Sequence, residues 1–451
     1  MRTVTKSINE QIVNLESKII SKTQKVSYYP LAIKEGIGAI IKDYDGNEYI
    51  DFLSSASSAN IGHGNKEIAE AVKMQMEKIS QYTLAYFYCN EPIQLAKKLI
   101  EIMPGDFDKK VLFTNSGSAA NDGAIKLARS YTGRTKIISF VEGYYGSTYG
   151  ALSLSAINLN MRRKIGGLLP DIFHFNYPIC LRCKYGKTDK NCSMECLEEI
   201  EYAFNHYLPP EEVAAVFFEP IAGDAGLIVP PVKYVKALRK ICKEHGILFV
   251  VDEIQQGFGR TGKWFAIEHF EVAPDMITAG KSLGAGLPMG AIIGRREIMD
   301  SLDAPGHIFT LAGNATVCQA ALKMIEIIER EKLAERSIEM GKYIMDRLNE
   351  MKERYNIIGQ VRGLGLSIAV DLVKDTQTME KNYEAAAKIS YRCIEKGLIL
   401  IFIGQSSLRI QPPLVITKEQ IDIALEIIED SIKEYISGKI DDSVYKVVKG
   451  W

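Results

Sequence analysis

The chain has 451 residues, of which 47% are hydrophobic and 25% are charged, a composition typical of a globular protein with a sizeable core. Basic and acidic residues nearly balance, and the formal net charge is −1 at pH 7. The charges are dispersed, so neither nucleic acid nor an anionic membrane is an expected partner. Because the N-terminus lacks the apolar core of a signal peptide and no stretch is long enough to span a bilayer, we expect a cytoplasmic protein.

The first 25 residues carry apolar side chains at helical spacing, which predicts a docking helix rather than a core element. These side chains are Ile8, Ile12, Leu15 and Ile19. Residues 42–49 predict a hairpin, because Asp45-Gly46 between two extended runs favours a tight turn.

From residue 66 to residue 331, helical patterns alternate with short apolar runs, which predicts an α/β fold with a mostly parallel sheet flanked by helices. The predicted strands are 110–114, 136–139, 214–219, 247–251 and 276–279. After residue 333 the pattern changes to long amphipathic helices and a few strands that we predict to be antiparallel. These strands are 363–370, 398–402 and 407–410.

The alternation predicts a large domain over residues 66–331 and a smaller α+β domain over residues 332–451.

Eight cysteines are present, and Cys180, Cys183, Cys192 and Cys196 cluster in an insert, 180–196, with the spacing C-x2-C-x8-C-x3-C. Two short-spaced pairs of thiols can converge on one zinc ion. Reduced thiols or disulfides on an exposed insert are the alternatives, so the sequence leaves the metal content undecided.

The most informative stretch, residues 246–290, holds a carboxylate and a lysine, each at the end of an apolar run. Asp252 follows a run that predicts a strand buried on both faces, where open α/β sheets place their ligands. Lys281 follows a second run and lies among small residues, Gly280, Gly284 and Gly286. Pyridoxal phosphate needs a carboxylate that keeps its ring nitrogen protonated and an amine that holds it covalently. Asp252 and Lys281 together therefore predict pyridoxal phosphate as the cofactor.

A Ser/Gly turn supplies a candidate phosphate site. Ser116, Gly117 and Ser118 follow the strand 110–114 and open a helix, so free backbone N–H groups and hydroxyls can bind an anion there. Plain capping of the helix is the alternative for this turn taken alone. Because Asp252 and Lys281 also predict pyridoxal phosphate, phosphate binding is the favoured role of this turn.

DEIQQGFGRTG at 252–262 and TAGKSLGAGLPMGA at 278–291 resemble the class III branch of the fold type I pyridoxal-phosphate enzymes. The resemblance runs from Tyr29-Pro30 to Pro413 and implies that the N-terminal segment, 1–65, joins the small domain. It implies that Tyr144 stacks on the cofactor ring, although Tyr145 stands where the family usually has His. It also implies that Gln255 hydrogen-bonds the phenolic oxygen of the cofactor, whereas Gln256 replaces a small Ser or Thr.

The same resemblance bears on assembly and on substrate. Thr310 is similar to a threonine that reaches the phosphate of the neighbouring subunit's cofactor, which implies a homodimer or a dimer of dimers. Arg409 resembles the arginine that binds the substrate α-carboxylate, although a structural salt bridge is an alternative. No second arginine motif for a dicarboxylic substrate is evident, and Tyr29, Tyr86 and Phe87 could wall an apolar pocket, so a neutral aliphatic amino acid is favoured.

The reaction depends on where the α-proton returns, and Asp224 is the informative residue. Aminotransferases of the class usually have Glu in a Gln-Gly-Glu sequence where this chain has Ala222-Gly223-Asp224. An Asp here resembles the isoleucine 2-epimerase and broad-specificity racemase subgroup, in which it implies an acid/base on the face opposite Lys281. The prediction is an amino-acid racemase or epimerase. A conservative change within an aminotransferase that uses 2-oxoglutarate is the alternative.

Overall fold

The computed structural model describes residues 7–188 and 190–450. Residues 1–6 of the predicted docking helix, residue 189 of the cysteine insert and the C-terminal residue lie outside the described part of the chain. Within it, no helix is both long enough and apolar enough to cross a membrane.

The strands are numbered in chain order. They are β1 (Ile33–Ile37), β2 (Ile40–Asp43), β3 (Glu48–Asp51), β4 (Lys109–Thr114), β5 (Lys136–Phe140), β6 (Ile172–Phe175), β7 (Val213–Phe218), β8 (Leu248–Asp252), β9 (Met276–Ala279), β10 (Gly290–Arg295), β11 (Ile358–Leu364), β12 (Ser367–Leu372), β13 (Leu398–Ile399), β14 (Ile401–Ile403) and β15 (Ser407–Ile410).

The helices are named by their bounds. They are Ile8–Ile19, Lys66–Lys78, Asn90–Ile102, Gly117–Thr132, Tyr149–Leu154, Glu195–His206, Val232–Glu244, Arg296–Met299, Ala315–Arg330, Leu333–Arg354, Tyr383–Glu395 and Lys418–Ile436. A short left-handed turn, Ser54–Ser57, has a positive φ at every residue.

A seven-stranded sheet with the order β4-β10-β9-β8-β7-β5-β6 forms the centre of the molecule. β6, β5, β7, β8 and β9 run parallel, and β10 is antiparallel to both β4 and β9. β7, β8 and β9 are buried along their whole length, as expected for strands covered on both faces. The predicted parallel α/β sheet is confirmed, and β6 and β10 are strands that the sequence did not predict.

The second part of the fold differs in detail from the prediction. The run 363–370, predicted as one strand, is a hairpin of β11 and β12, because Gly365 takes a left-handed φ of 54° and reverses the chain. The run 398–402 divides into β13, which pairs with β3, and β14, which pairs with β15. The pairing of β13 with β3 joins the chain's N-terminal and C-terminal segments in one sheet.

The predicted N-terminal helix is present as Ile8–Ile19, but its apolar stripe does not face the core. Ile8 is 50% exposed, Leu15 57% and Ile19 70%. Asn9 is the buried residue of this helix, and its amide nitrogen donates to Asp43 and Asp45 on the hairpin. The helix is therefore attached to the hairpin through its polar side.

Candidate active site

A cavity of about 370 Å³ opens where the carboxyl ends of the central parallel strands meet. Asp252 ends β8, and Lys281 follows β9 by two residues. β10 begins at the same edge of the sheet, where its first residue, Gly290, pairs with Thr114, the last residue of β4. The cavity walls include these predicted cofactor-binding residues: Ser116, Gly117, Ser118, Tyr144, Asp252, Gln255 and Lys281.

The Ser/Gly turn lies at the start of the helix Gly117–Thr132, as predicted. The Ser116 hydroxyl accepts a hydrogen bond from the Ala119 N–H at 3.2 Å, so this side chain caps the helix. Gly117 packs so closely on the loop after β8 that a Cβ there would lie 2.6 Å from Ile254 Cδ1. The turn therefore leaves backbone donors at a helix N-terminus against the cavity.

Asp252 is a buried carboxylate with two donors. Its Oδ2 accepts from Asn121 Nδ2 at 2.8 Å, and its Oδ1 accepts from the Ile254 N–H at 2.9 Å. Burial raises the pKa of Asp252 to about 6, while the hydrogen bond from Asn121, the Ile254 N–H and the charge of Lys281 oppose the rise. At neutral pH the carboxylate is therefore ionised and can accept a hydrogen bond from the protonated ring nitrogen of a cofactor.

Two further residues of this site, Asn121 and Glu219, were not predicted from the sequence. Asn121 also donates to the Tyr145 carbonyl at 2.7 Å, which fixes its amide beside Asp252. Glu219 lines the cavity and accepts from the N–H groups of Tyr144, at 2.8 Å, and Gly223, at 2.9 Å. Burial, together with the nearby charge of Asp252, raises the pKa of Glu219 to about 8. Asn121 lies one helical turn beyond the phosphate turn, which is the signal that could have found it.

The two tyrosines that follow β5 have different surroundings. Tyr144 lines the cavity, where the resemblance places the stacking aromatic residue. Tyr145 is buried, its hydroxyl donates to the Phe217 carbonyl at 3.0 Å, and its ring meets Phe217 edge-on. Tyr145 therefore attaches the loop after β5 to β7.

Lys281 begins a short 3-10 turn, Lys281–Gly284, with a left-handed φ of 46°. Such a conformation in a non-glycine residue costs about 1–3 kcal/mol and concentrates at functional sites. Burial lowers the pKa of the Lys281 amine, and among the charged groups near it Asp224 has the largest opposing effect. A lysine with a lowered pKa is a better nucleophile for a carbonyl.

Asp224 and Arg409 are buried, and Asp224 contacts Gln255, which lines the cavity. Asp224 Oδ1 accepts from Arg409 Nη1 and from Gln255 Nε2, both at 3.3 Å. Arg409 is 2% exposed, and its Nη2 is a buried donor without a hydrogen-bond partner among the described residues. A buried, unpaired guanidinium nitrogen has donor capacity for an incoming carboxylate.

Other predicted site residues lie elsewhere. Thr310 is exposed and does not line its own chain's cavity. Tyr29 packs on Tyr391, with ring centroids 4.8 Å apart, and is not among the residues that line the cavity of its own chain, so its place in the substrate pocket stays a prediction. Tyr86 and Phe87 are 77% and 61% exposed, and their role in a pocket wall stays a prediction.

The cysteines of the insert line a separate cavity of about 230 Å³. Burial and then the neighbouring thiols Cys192 and Cys180 raise the pKa of Cys196 to about 11. In residues 7–188 and 190–450, no three His, Cys, Asp or Glu side chains converge as metal ligands. A zinc ion at this insert stays a hypothesis.

The residues around the main cavity fit pyridoxal phosphate. They combine a tight glycine turn at a helix N-terminus, an aromatic side chain, an ionised buried carboxylate and an amine with a lowered pKa. A Cβ at Gly117 would clash with Ile254, so only glycine lets the turn approach the loop after β8 this closely. Each part matches one chemical group of the cofactor: phosphate, ring face, ring nitrogen and aldehyde.

The chain belongs to the class III aminotransferase family, whose sequence pattern it matches over residues 21–432. Members of this family use pyridoxal phosphate, and the chain has the fold type I architecture of such enzymes. An amine transaminase from an uncultivated Pseudomonas species, solved in its PLP-bound form, superposes with a TM-score of 0.84 at 30% identity, covering 90% of this chain and 95% of that one.

Within the family, three relatives are amino-acid racemases or epimerases. A leucine/methionine racemase of Thermococcus litoralis is 48% identical, covering 98% of this chain and 99% of its own. An isoleucine 2-epimerase of Lentilactobacillus buchneri is 43% identical, covering 95% and 96%. An alanine/serine racemase of Pyrococcus horikoshii is 42% identical, covering 96% and 92%.

Proposed function

We propose that this protein is a pyridoxal-phosphate-dependent racemase or epimerase that inverts the α-carbon of neutral aliphatic amino acids. The observation that carries the proposal is the placement of Asp224, a buried carboxylate held by Arg409 and Gln255, whose charge opposes the effect of burial on the pKa of Lys281. The similarity to racemases and an epimerase supports the same conclusion.

The residues that would hold the cofactor follow from the cavity walls. The turn at Ser116, Gly117 and Ser118 would bind the phosphate, and Asp252 would keep the ring nitrogen protonated. The cofactor supplies an electron sink when the α-proton leaves. The amide nitrogen of Gln255 has two hydrogens, so it can donate to the phenolic oxygen of the cofactor while it donates to Asp224.

Inversion needs an acid/base group on each face of the α-carbon. Lys281 has a lowered pKa and can take the α-proton from one face as a neutral amine. Asp224 is the candidate for the other face, because both of its hydrogen bonds fall on Oδ1 and, among the described residues, none reaches Oδ2. That oxygen is the candidate to exchange a proton with the substrate.

The substrate class follows from Arg409 and from the apolar wall of the cavity. The unpaired Nη2 of Arg409 provides a donor for the α-carboxylate. Ile254, Leu287 and Met289 line the cavity and would exclude water around an aliphatic side chain. These contacts favour branched or straight aliphatic amino acids over charged ones.

The test is chiral chromatography of a panel of L-amino acids in deuterated water, with and without 2-oxoglutarate. Inversion without the keto acid, with deuterium at the α-carbon, is the expected result. Asp224→Asn should lower inversion by about 10²–10⁴-fold, the usual contribution of a positioned acid or base, and leave the cofactor's absorbance unchanged. Product that forms only with 2-oxoglutarate, with glutamate released, would refute the racemase.

An aminotransferase that transfers an ω- or α-amino group to 2-oxoglutarate is the second candidate. The family and the superposed transaminase favour it. In such an enzyme the proton returns to the cofactor, and Asp224 would serve only as the ion-pair partner of Arg409. Retention of full amino transfer by Asp224→Asn, together with no inversion by the wild type, would select this candidate.

The proposal includes a homodimer or dimer of dimers in the cytoplasm, with Thr310 facing the partner's cofactor. Exposed aromatic side chains support an interface, since monomers rarely expose such a patch. Tyr82 is 54% exposed, Tyr86 77%, Phe87 61% and Tyr88 fully exposed.

We also propose that the chain divides into a large domain, 66–331, and a small domain of 1–65 with 332–451, a division that the β3–β13 pairing supports.

A further inference from the structure

A closed ring of buried polar side chains connects Arg409 to Asp224 by two routes. The short route is the direct ion pair, with 3.3 Å between Arg409 Nη1 and Asp224 Oδ1. The long route passes from Arg409 through Gln411, Ser367 and Gln256 to Gln255, and from there to the same oxygen of Asp224. None of these side chains exceeds 8% exposure.

Every hydrogen bond of the long route has one direction. Arg409 Nε donates to Gln411 Oε1, and Gln411 Nε2 donates to Ser367 Oγ at 2.9 Å. Ser367 Oγ then donates to Gln256 Oε1 at 2.7 Å. Gln256 Nε2 donates to Gln255 Oε1 at 3.0 Å, and Gln255 Nε2 donates to Asp224 Oδ1 at 3.3 Å.

The two residues at the ends of the long route, Arg409 and Asp224, set this direction. A guanidinium can only donate, and an ionised carboxylate can only accept, so the amides between them must present oxygen toward Arg409 and nitrogen toward Asp224. Hydrogen bonds that all point the same way polarise one another in a buried environment. The ring therefore fixes the orientation of each amide as well as its position.

The ring also joins two sheets. Gln255 and Gln256 belong to the loop after β8 of the central sheet, whereas Ser367 begins β12 and Arg409 lies on β15, its antiparallel partner. Gln256 spans the distance between Gln255 and Ser367, and a Ser side chain at this position would be too short to reach both.

We propose that Gln256, Ser367 and Gln411 are positioning residues that hold Arg409 and Asp224 in register for inversion. This inference rests on the function proposed above. Because Nε and Nη1 of Arg409 are occupied within the ring, Nη2 is the donor left for the α-carboxylate. Because the ring's donors meet Oδ1 of Asp224, Oδ2 is the oxygen left for the α-carbon.

The experiment compares alanine variants of two buried serines, with the reaction run in deuterated water. Ser367 lies in the ring, and Ser390 lies outside it, with its hydroxyl donating to the Leu400 carbonyl at 2.8 Å. The measured quantity is the ratio of deuterated substrate with retained configuration to inverted product. If Asp224 is displaced while Lys281 still exchanges protons, this ratio rises for the enantiomer whose α-hydrogen faces Lys281.

Ser367→Ala should lower inversion by about tenfold to a hundredfold, as a misplaced reacting group does, and should raise the ratio by a similar factor. Ser390→Ala should leave the ratio unchanged. Gln256→Ser is the second variant, which keeps a hydroxyl but is too short to join Gln255 to Ser367, and it should change the ratio in the same direction. An unchanged ratio in both ring variants overturns the inference, and so does an equal change in Ser390→Ala.

Failure of the proposed function is recognised separately, in the wild type. If wild-type protein inverts no amino acid and only transfers amino groups, the comparison moves to kcat/KM for an L-amino acid and for the matching amine without a carboxylate. The ring then predicts that Ser367→Ala and Gln256→Ser lower kcat/KM for the amino acid alone. Equal loss on both substrates refutes the ring's role under either function.

Discussion

Removing the amide of Asn121 should change the pH at which the protein binds its cofactor. Asn121 Nδ2 donates to Asp252 Oδ2 at 2.8 Å, and this bond lowers the pKa of a carboxyl that burial has raised to about 6. A hydrogen bond to a charged group contributes about 1.5–3 kcal/mol. One pKa unit corresponds to about 1.4 kcal/mol, so Asn121→Ala should raise the pKa of Asp252 by about 1–2 units.

The sign of the effect follows from the role given to Asp252. Only the ionised carboxylate keeps the ring nitrogen of the cofactor protonated, so affinity falls as the pH drops through the pKa of Asp252. At pH 7 about nine-tenths of Asp252 is ionised in the wild type, from a pKa of about 6. In the variant the ionised fraction should be about one-half to one-tenth, so cofactor affinity at pH 7 should fall about two- to tenfold.

The assay is a spectroscopic titration of cofactor-free protein with pyridoxal phosphate at pH values from 5 to 9. Asn176→Ala is the matched control, because Asn176 also donates to a carboxylate, Glu199, at 2.8 Å, but away from the cavity. Wild type and control should lose affinity near pH 6, and Asn121→Ala at a pH about 1–2 units higher. Identical pH profiles for Asn121→Ala and the wild type would refute the electrostatic role of Asn121.

Three further variants test other parts of the cavity. Lys281→Ala should bind the cofactor only noncovalently and lose turnover, and borohydride reduction with peptide mapping of the wild type should place the label on Lys281; a label elsewhere contradicts the assignment. Gly117→Ala should be destabilised by about 1–3 kcal/mol, measured by thermal unfolding, because its Cβ would overpack against Ile254. Arg409→Lys should lower kcat/KM about ten- to a hundredfold, since a lysine lacks the fork that binds a carboxylate; unchanged kinetics would exclude carboxylate binding by Arg409.

The sequence identified the parts of the site that depend on local chemistry. Asp252 and Lys281 end buried strands, and Ser116 opens a helix, so apolar runs followed by polar residues were sufficient to find them. Because parallel strands expose their carboxyl ends at one edge, their convergence could also be predicted. The short family motifs then supplied the cofactor.

The tertiary structure decided what depends on contacts between distant segments. Thr310 shows no site within its own chain, and Tyr29 packs on Tyr391 rather than on the cavity. The strand 363–370 became a hairpin because of one left-handed glycine, Gly365, which no apolar pattern reveals.

The ring through Gln256 shows this division most clearly. Ser367 and Gln411 reach Gln256 and Arg409 only because β12 and β15 pair beside the loop after β8. Their sequence positions carry no periodic signal, since a buried polar side chain is tolerated wherever the fold supplies a partner. The sequence by itself thus determined the cofactor and predicted the reacting groups, and only the packing of the two sheets decided how those side chains are held.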